Sequence, residues 1–323
     1  MPGTGDLALE TISADEQSVT AEFIAFLKAA SASRHPSGDI PRFNQGRASG
    51  CVEAEFIVAT GLPTEVKVGL FQQPRSYSAW IRFANATSAS DREKDVRGMS
   101  IKVRGVSGEN CTRGSDVQDF ILNSHPVMMV PGPREFLALL RAVEAGGWPR
   151  ARYFLTHPNA ARIAFASRQN PSSHLDIAYW STTPYLLGDG RAVKYIVRPV
   201  APSQPRRPAL TDTYLRDALR LRLSQEDVAF DFYVQFQRDA RRMPIEDATV
   251  EWTERDSPYV RVAEVRIPRQ SIDVVGREQA CERTSFNPWN CLLPHRPLGG
   301  MNRVRRTIYE DMQHFRQSHV ARV

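Results

Sequence analysis

Near the end of the sequence, Arg305, Tyr309 and Arg316 stand at i, i+4 and i+11 within MNRVRRTIYEDMQHFRQSHV. At helical periodicity they share one face. A guanidinium one turn from a phenol favours the phenolate by opposite-charge attraction. A phenolate is a hard anionic ligand for ferric iron, and tyrosinate is one of the axial ligands that hold haem. Arg316, two turns further along the face, is placed to reach a carboxylate on the same ligand. Taken alone, the same residues also describe an Arg-rich surface helix with one half-buried Tyr.

The elements that must position this face can be read from periodicity. Residues 15–31 carry Val19, Phe23, Ile24 and Leu27 at helical spacing, followed by a Ser-, Gly- and Pro-rich loop. Strand-like segments follow at 51–58, 78–85, 99–106, 116–123, 191–199, 227–237, 248–252 and 260–267, eight in all. Helical patterns cover 133–145 and 150–168, between the fourth and fifth segments, and also 212–223 and the tail, 301–320. Eight strands, mostly joined as hairpins, predict an α+β protein: an eight-stranded antiparallel β-barrel with a helical insertion and C-terminal helices. The expected organisation is one domain over 1–323. It comprises an N-terminal helix and arm (1–40), a barrel (41–270) with its helical insertion at 131–190, and a proximal segment (286–323).

Composition narrows the partners. The chain has 323 residues and a formal charge of +6, with 41% hydrophobic and 24% charged residues, ordinary values for a globular protein. Its basic residues are five Lys and 37 Arg. Arg suits bidentate carboxylate contacts. No aromatic residues interleave with the basic ones as a nucleic-acid surface would require, so nucleic acid is not an expected partner. No apolar run reaches the length of a membrane span. The opening MPGTGDLALETISADEQ has no basic or apolar leader pattern. The four cysteines, Cys51, Cys111, Cys281 and Cys291, show no CxxC spacing. Reduced thiols in a cytoplasmic protein are the simple expectation.

Several further motifs, in order, resemble the catalase superfamily and most closely its small catalase-related haem proteins. They are IPRFNQGRASG at 40–50, WIRFAN at 80–85, DVRGMSIKV at 95–103 and DFILNSHPVMMV at 119–130. MPIEDATVEW at 243–252, followed by SPYVRVAEVRIP, and FNPWN at 286–290 ahead of HRPLGGMNRVRRTIY at 295–309 complete the series. The resemblance covers roughly 40–316. It implies a catalase-like fold holding haem b, with Tyr309 as the tyrosinate ligand on iron and Arg305 stabilising that phenolate. It implies that Arg42, Arg82 and Arg316 clamp the propionates, and that the amide of Asn123 hydrogen-bonds a bound peroxide.

The distal side departs from the pattern. Counting from Arg42 and back from Gly50 both put Gln45 where the resembled proteins carry their catalytic His. The hydroxyl that supports that His falls at Ala84, and a phenyl pair falls at Met128 and Met129. A Gln amide donates and accepts hydrogen bonds but cannot titrate in the useful range. General acid–base help is worth about 100- to 10,000-fold. His125 is the one nearby substitute base, provided strand alternation continues past Asn123. Cys291 is read as a buried, inert thiol. The expectation is a haem-dependent, peroxidase-like oxidoreductase acting on a peroxide or small organic substrate, and a poor catalase. Conversion of organic hydroperoxides or a biosynthetic oxidation fits. The alternative is a non-catalytic haem protein for storage or sensing. The chain is short beside full catalases and is expected to lack their extra C-terminal domain and most of their tetramer-wrapping arm. A homo-oligomer remains open.

Overall fold

A computed structural model describes residues 7–202 and 211–319. The first six residues of the expected arm and residue 320 of the expected tail helix lie outside the described residues. Nine strands form one sheet: β1 (Ala48–Val58), β2 (Ser76–Asn85), β3 (Arg97–Arg104), β4 (Val117–Asn123), β5 (Tyr179–Trp180), β6 (Tyr185–Leu186), β7 (Ala192–Pro199), β8 (Val228–Phe236) and β9 (Tyr259–Ile267). Pairing runs β1-β2-β3-β4-β5-β7-β8-β9 and returns to β1, every pair antiparallel, so eight strands close into a barrel and β6 hangs on β7. Closure removes the exposed edges that an open sheet would leave.

Alternation decides what fills the barrel. In β8 the side chains of Val228, Phe230, Phe232, Val234 and Phe236 are buried at every second position, as a pleated strand requires. Phe232 lies 4.8 Å from Phe120 and 5.1 Å from Phe56, ring centre to ring centre, and Tyr195 closes on Phe120 at 5.0 Å. With aromatic rings packed across it, the barrel interior is hydrophobic core. Chemistry therefore has to come from the outer face.

One expected strand is corrected. Residues 248–252 are loop, and the eighth barrel strand is the two-residue β5. The backbone of Ala248 instead takes a hydrogen bond from Met128 N–H at 2.9 Å and donates to Pro131 O at 3.0 Å. A two-residue strand carries no readable period, whereas ATVEW imitates one.

Helices cover the outside: α1 (Glu16–Arg34), α2 (Pro133–Ala145), α3 (Gly147–Thr156), α4 (Pro158–Ser167), α5 (Tyr214–Gln225), α6 (Arg277–Arg283) and α7 (Gly300–Ser318). Val304, Ile308 and Met312 of α7 recur every fourth residue and pack on Phe23 and Leu27 of α1 and Leu137 of α2. The start of α7 is pinned by carboxylates. Glu10 accepts from Gly299 N–H at 2.9 Å, Glu246 accepts from Gly300 N–H at 2.7 Å, and both pair with Arg303. Negative charge there suits the helix dipole.

The expectation of four reduced cysteines is overturned. Cys51 and Cys281, 230 residues apart, form a disulfide. Cys51 points outward from β1, and α6 brings Cys281 onto it. Spacing along the chain cannot reveal a pair that only tertiary folding creates. The cytoplasmic assignment rested on reduced thiols and loses that support. Among the described residues, no helix is long and apolar enough to cross a membrane.

Candidate functional site

Strand register builds the site. On β1–β4 the inward residues are core, so their neighbours line up in rows on the outer face. Cys51, Arg82, Ser100 and Ile121 form one row, and Ala84, Gly98 and Asn123 form the next. Arg82 is 1% exposed even though it points away from the core, because α6 covers it.

The second row is a floor of small residues under Gln45. The Gln45 Nε2 donates to Asn123 Oδ1 at 3.2 Å, and the Gln45 backbone N–H donates to Ala86 O at 2.8 Å. A Cβ at position 98 would lie closer than 3.0 Å to the Gln45 amide, so only glycine lets the side chain settle there. Gln45 itself holds a φ of 54°, a left-handed conformation that costs a residue with a side chain roughly 1–3 kcal/mol. The turn stays tight because Gly46 brings its Cα against the Arg42 carbonyl, where a Cβ would sit 2.8 Å away. Gln45 and Asn123, distant in sequence, are thus one amide pair. Ala84 stands in the adjoining position, with no hydroxyl to offer.

His125 is not part of that pair. β4 ends at Asn123, so alternation stops there, and the ring Nδ1 of His125 lies 3.1 Å from the Val127 carbonyl. The two methionines also part company. Met128 brings its Sδ to 4.0 Å from Arg305 Nη2, while Met129 packs with Val130, Leu139 and Tyr153.

Arg42, Arg82 and Arg316 come from a loop, a strand and a helix. Arg42 and Arg82 both bind the carboxylate of Glu282, Arg82 through Nε at 3.1 Å and Nη2 at 2.9 Å. Arg42 Nη2 also donates to Glu282 O at 3.1 Å and Thr284 O at 2.7 Å. Burial, then repulsion from Arg82, pulls the Arg42 guanidinium down to about 10, against the pull of Glu282. Arg316 is lowered as well, first by burial, with Glu282 opposing and Arg82 adding to the shift. Arg316 makes no direct ion pair among the described residues. Three clustered cations share one carboxylate, which leaves two positive charges without a counterion. Such a cluster is a costly arrangement unless anions complete it.

Glu282 is the residue that sequence reasoning missed. It lies in 271–285, a stretch assigned to neither barrel nor proximal segment. Its neighbour Cys281 is bonded to Cys51, one strand over from Arg82, and this anchors the carboxylate where it stands. No local pattern signals it; only the charge of three converging arginines asks for such a residue.

On α7, Tyr309 is half-buried and packs against the cluster that includes Phe23, Leu27, Leu137 and Ile308. One turn earlier, Arg305 Nη1 donates to Asn302 Oδ1 at 3.1 Å. The amide of Asn302 donates to Pro184 O and Leu298 O, at 2.9 and 3.0 Å, and fixes that arrangement. Tyr185 lies within electrostatic reach of both Arg305 and Tyr309, and its hydroxyl is raised above its ordinary value mainly by burial. The FNPWN motif is locked to the barrel by the buried Asp119. Asp119 takes 2.9 Å bonds from Asn287 N–H and Asn290 Nδ2 and pairs with Lys102 at 2.7 Å. Trp289 Nε1 then donates to Asn302 O at 2.7 Å, tying the motif to α7. A surface recess of about 700 Å³ at Asp217, Ser224 and Gln270 lies apart from all of these residues and has no share in the site.

A closed antiparallel barrel of eight strands, an insertion of three helices and a long C-terminal helix bearing the Arg/Tyr face define the architecture. Its particular form is the catalase fold. The chain superposes on a fungal catalase with a TM-score of 0.68 at 14% identity, over 88% of this chain and 61% of that one. Catalase A from Saccharomyces cerevisiae gives 0.67 at 16%, over 88% and 63%. A bacterial catalase gives 0.67 at 14%, over 95% and 62%. The chain thus spans less than two thirds of the length of these structures. No family model matches the sequence, and no curated protein does.

Proposed function

We propose that the protein binds haem b and acts as an oxidoreductase on a peroxide, with organic hydroperoxides preferred over hydrogen peroxide. The observation that carries the haem reading is the cluster of Arg42, Arg82 and Arg316. Its two unbalanced charges match the two propionates of a haem, with Glu282 retained as the third counterion. Charge-assisted pairs of this kind hold a carboxylate firmly. Tyr309 is the iron ligand, and Arg305, held by Asn302, keeps a positive charge one turn away. When bound, the haem iron supplies Lewis acidity and the electrons for cleaving an O–O bond.

The substrate preference follows from the amide pair. Gln45 and Asn123 hold and orient a peroxide by hydrogen bonding, but neither amide accepts a proton at neutral pH. Disproportionation of hydrogen peroxide needs a proton moved from one oxygen to the other, and this pair cannot move it. An organic hydroperoxide already carries its leaving group. The bond between Gln45 and Asn123 also suits a second reading, a non-catalytic haem protein whose distal amides satisfy each other.

Turnover separates these readings. With haem-loaded protein, consumption of an alkyl hydroperoxide is expected to outpace oxygen evolution from hydrogen peroxide. Oxygen evolution at an ordinary catalase rate would overturn the preference. Inertness toward both peroxides would leave the storage or sensing reading.

A further inference from the structure

The four cysteines divide into two pairs. Cys51 and Cys281 are bonded, whereas Cys111 and Cys291 are thiols. Those two thiols face one another. Asn110 and Leu292 form an isolated antiparallel bridge. Leu293 N–H donates to Glu109 O at 2.8 Å, and Cys111 N–H donates to Cys291 O at 2.8 Å. Cys111 therefore stands opposite Cys291 in a short ladder between the β3–β4 connection and the segment leading into α7. Residues opposed in this way lie about 5.5 Å apart at Cα, inside the ~4.4–6.8 Å span of a disulfide. Their side chains lie within reach of each other, close enough for each thiol to shift the other.

The pair is asymmetric. Cys111 is partly exposed and Cys291 is buried. The hydrogen bond from Cys291 holds the Cys111 thiol below its ordinary value. Burial opposes it, and Arg306 and Arg296 add to the lowering. Cys291 is pushed up, first by its bond to Cys111 and then by burial. Two thiols can adjoin as mere packing. Here one is reachable and flanked by cations while the other is shielded beside it, the division of labour between a peroxide-reactive cysteine and its resolving partner.

We propose that Cys111 and Cys291 are a redox-active dithiol that reduces hydroperoxides, independently of any haem. The Cys111 thiolate attacks one peroxide oxygen. An S–O bond forms, the O–O bond breaks, the sulfur gives up two electrons, and the departing alkoxide or hydroxide takes a proton from water. Cys291 then loses its proton and attacks the Cys111 sulfur. The S–S bond forms, the S–O bond breaks, and the hydroxide released is protonated to water. Exchange with a small external dithiol restores both thiols.

The test is a thiol map. Dithiothreitol-reduced protein, freed of reductant, receives one equivalent of hydrogen peroxide, is alkylated, and is digested without reduction for mass spectrometry. A peptide linking Cys111 to Cys291 is expected, reversible by dithiothreitol. Cys111 should be lost faster than free cysteine at neutral pH, because a thiol held below its ordinary value carries more thiolate. Cys291→Ser should stop at a sulfenic acid on Cys111 that dimedone traps. The linked peptide should form equally in haem-free Tyr309→Phe protein, which separates this reaction from the haem reading. Should Cys291→Ser fail to fold, the parent's own map decides. The proposal fails if Cys111 and Cys291 both stay alkylatable, if the link appears only in Tyr309-competent, haem-loaded protein, or if Cys111 reacts no faster than free cysteine.

Discussion

The two sides of the candidate haem site are built to different ends. The proximal and propionate side is charged and redundantly anchored. Tyr309 and Arg305 ride on a helix pinned at its start by Glu10 and Glu246 and held at Asn302 by hydrogen bonds with Pro184, Leu298, Trp289 and Arg305. Arg42, Arg82 and Glu282 interlock under a disulfide. The distal side is neutral: two amides bonded to each other over a glycine. The difference teaches that gathering charge and placing a titratable group are separable, since separate segments govern them here. One carries clustered charges and the other has no titratable group in its amide pair.

The largest effect expected is on the proximal side. Tyr309→Phe should lose most of the haem, or replace the high-spin ferric spectrum expected of tyrosinate ligation. Absorption spectra at matched protein concentration read it directly. Full haem content with an unaltered spectrum would remove Tyr309 from the role.

Next comes restoration of a base on the distal side. Gln45→His should raise oxygen evolution from hydrogen peroxide. Adding Ala84→Ser should raise it further and more than additively, because a ring without its orienting hydroxyl is a poorly placed base. The double variant is expected to gain about 100-fold, the lower end of what general acid–base help provides. Initial rates at matched haem content for the parent, both single variants and the double make the comparison. A flat series would mean that the pocket is shaped for another reactant.

A comparable change is expected from the clamp. Arg42→Ala, Arg82→Ala and Arg316→Ala should each weaken haem retention about 10- to 150-fold, since losing one partner of a charged hydrogen bond costs roughly 1.5–3 kcal/mol. Haem transfer to a scavenger protein measures this. Three variants that release haem no faster than the parent would show that the cluster serves some other anion.

The smallest effect sharpens the contrast most. Gly98→Ala should push Gln45 off its floor and break the bond to Asn123 while leaving haem content unchanged. Overpacking of this kind costs about 1–3 kcal/mol. A shifted Soret band, with lowered thermal stability and full haem, is the expected result. Loss of haem instead would show that the two sides are not independent.

Much of this was legible along the chain. The Arg305–Tyr309–Arg316 face follows from helical period, and seven of the eight barrel strands follow from alternation or β-branched runs. That Gln45 stands where the resembled proteins carry a distal base is a reading from the resemblance, made by counting from Arg42 and back from Gly50. The missed strand, β5, has two residues and no period to read. The expected strand at 248–252 had the right residue types, but its backbone was spent on Met128 and Pro131.

The sequence by itself determined which side chains could do chemistry, because residue type and local spacing set protonation, ligation and helix face. Only the tertiary structure decided which of them meet. The closed barrel set Asn123 beside Gln45, and α6 carried Glu282 onto Arg42 and Arg82. The same folding sorted four unremarkable cysteines into one bonded pair and one thiol pair. Those contacts join residues 78 to 240 positions apart. Pairings at such separations leave no local period, because they depend on strand register and on the packing of whole elements against one another.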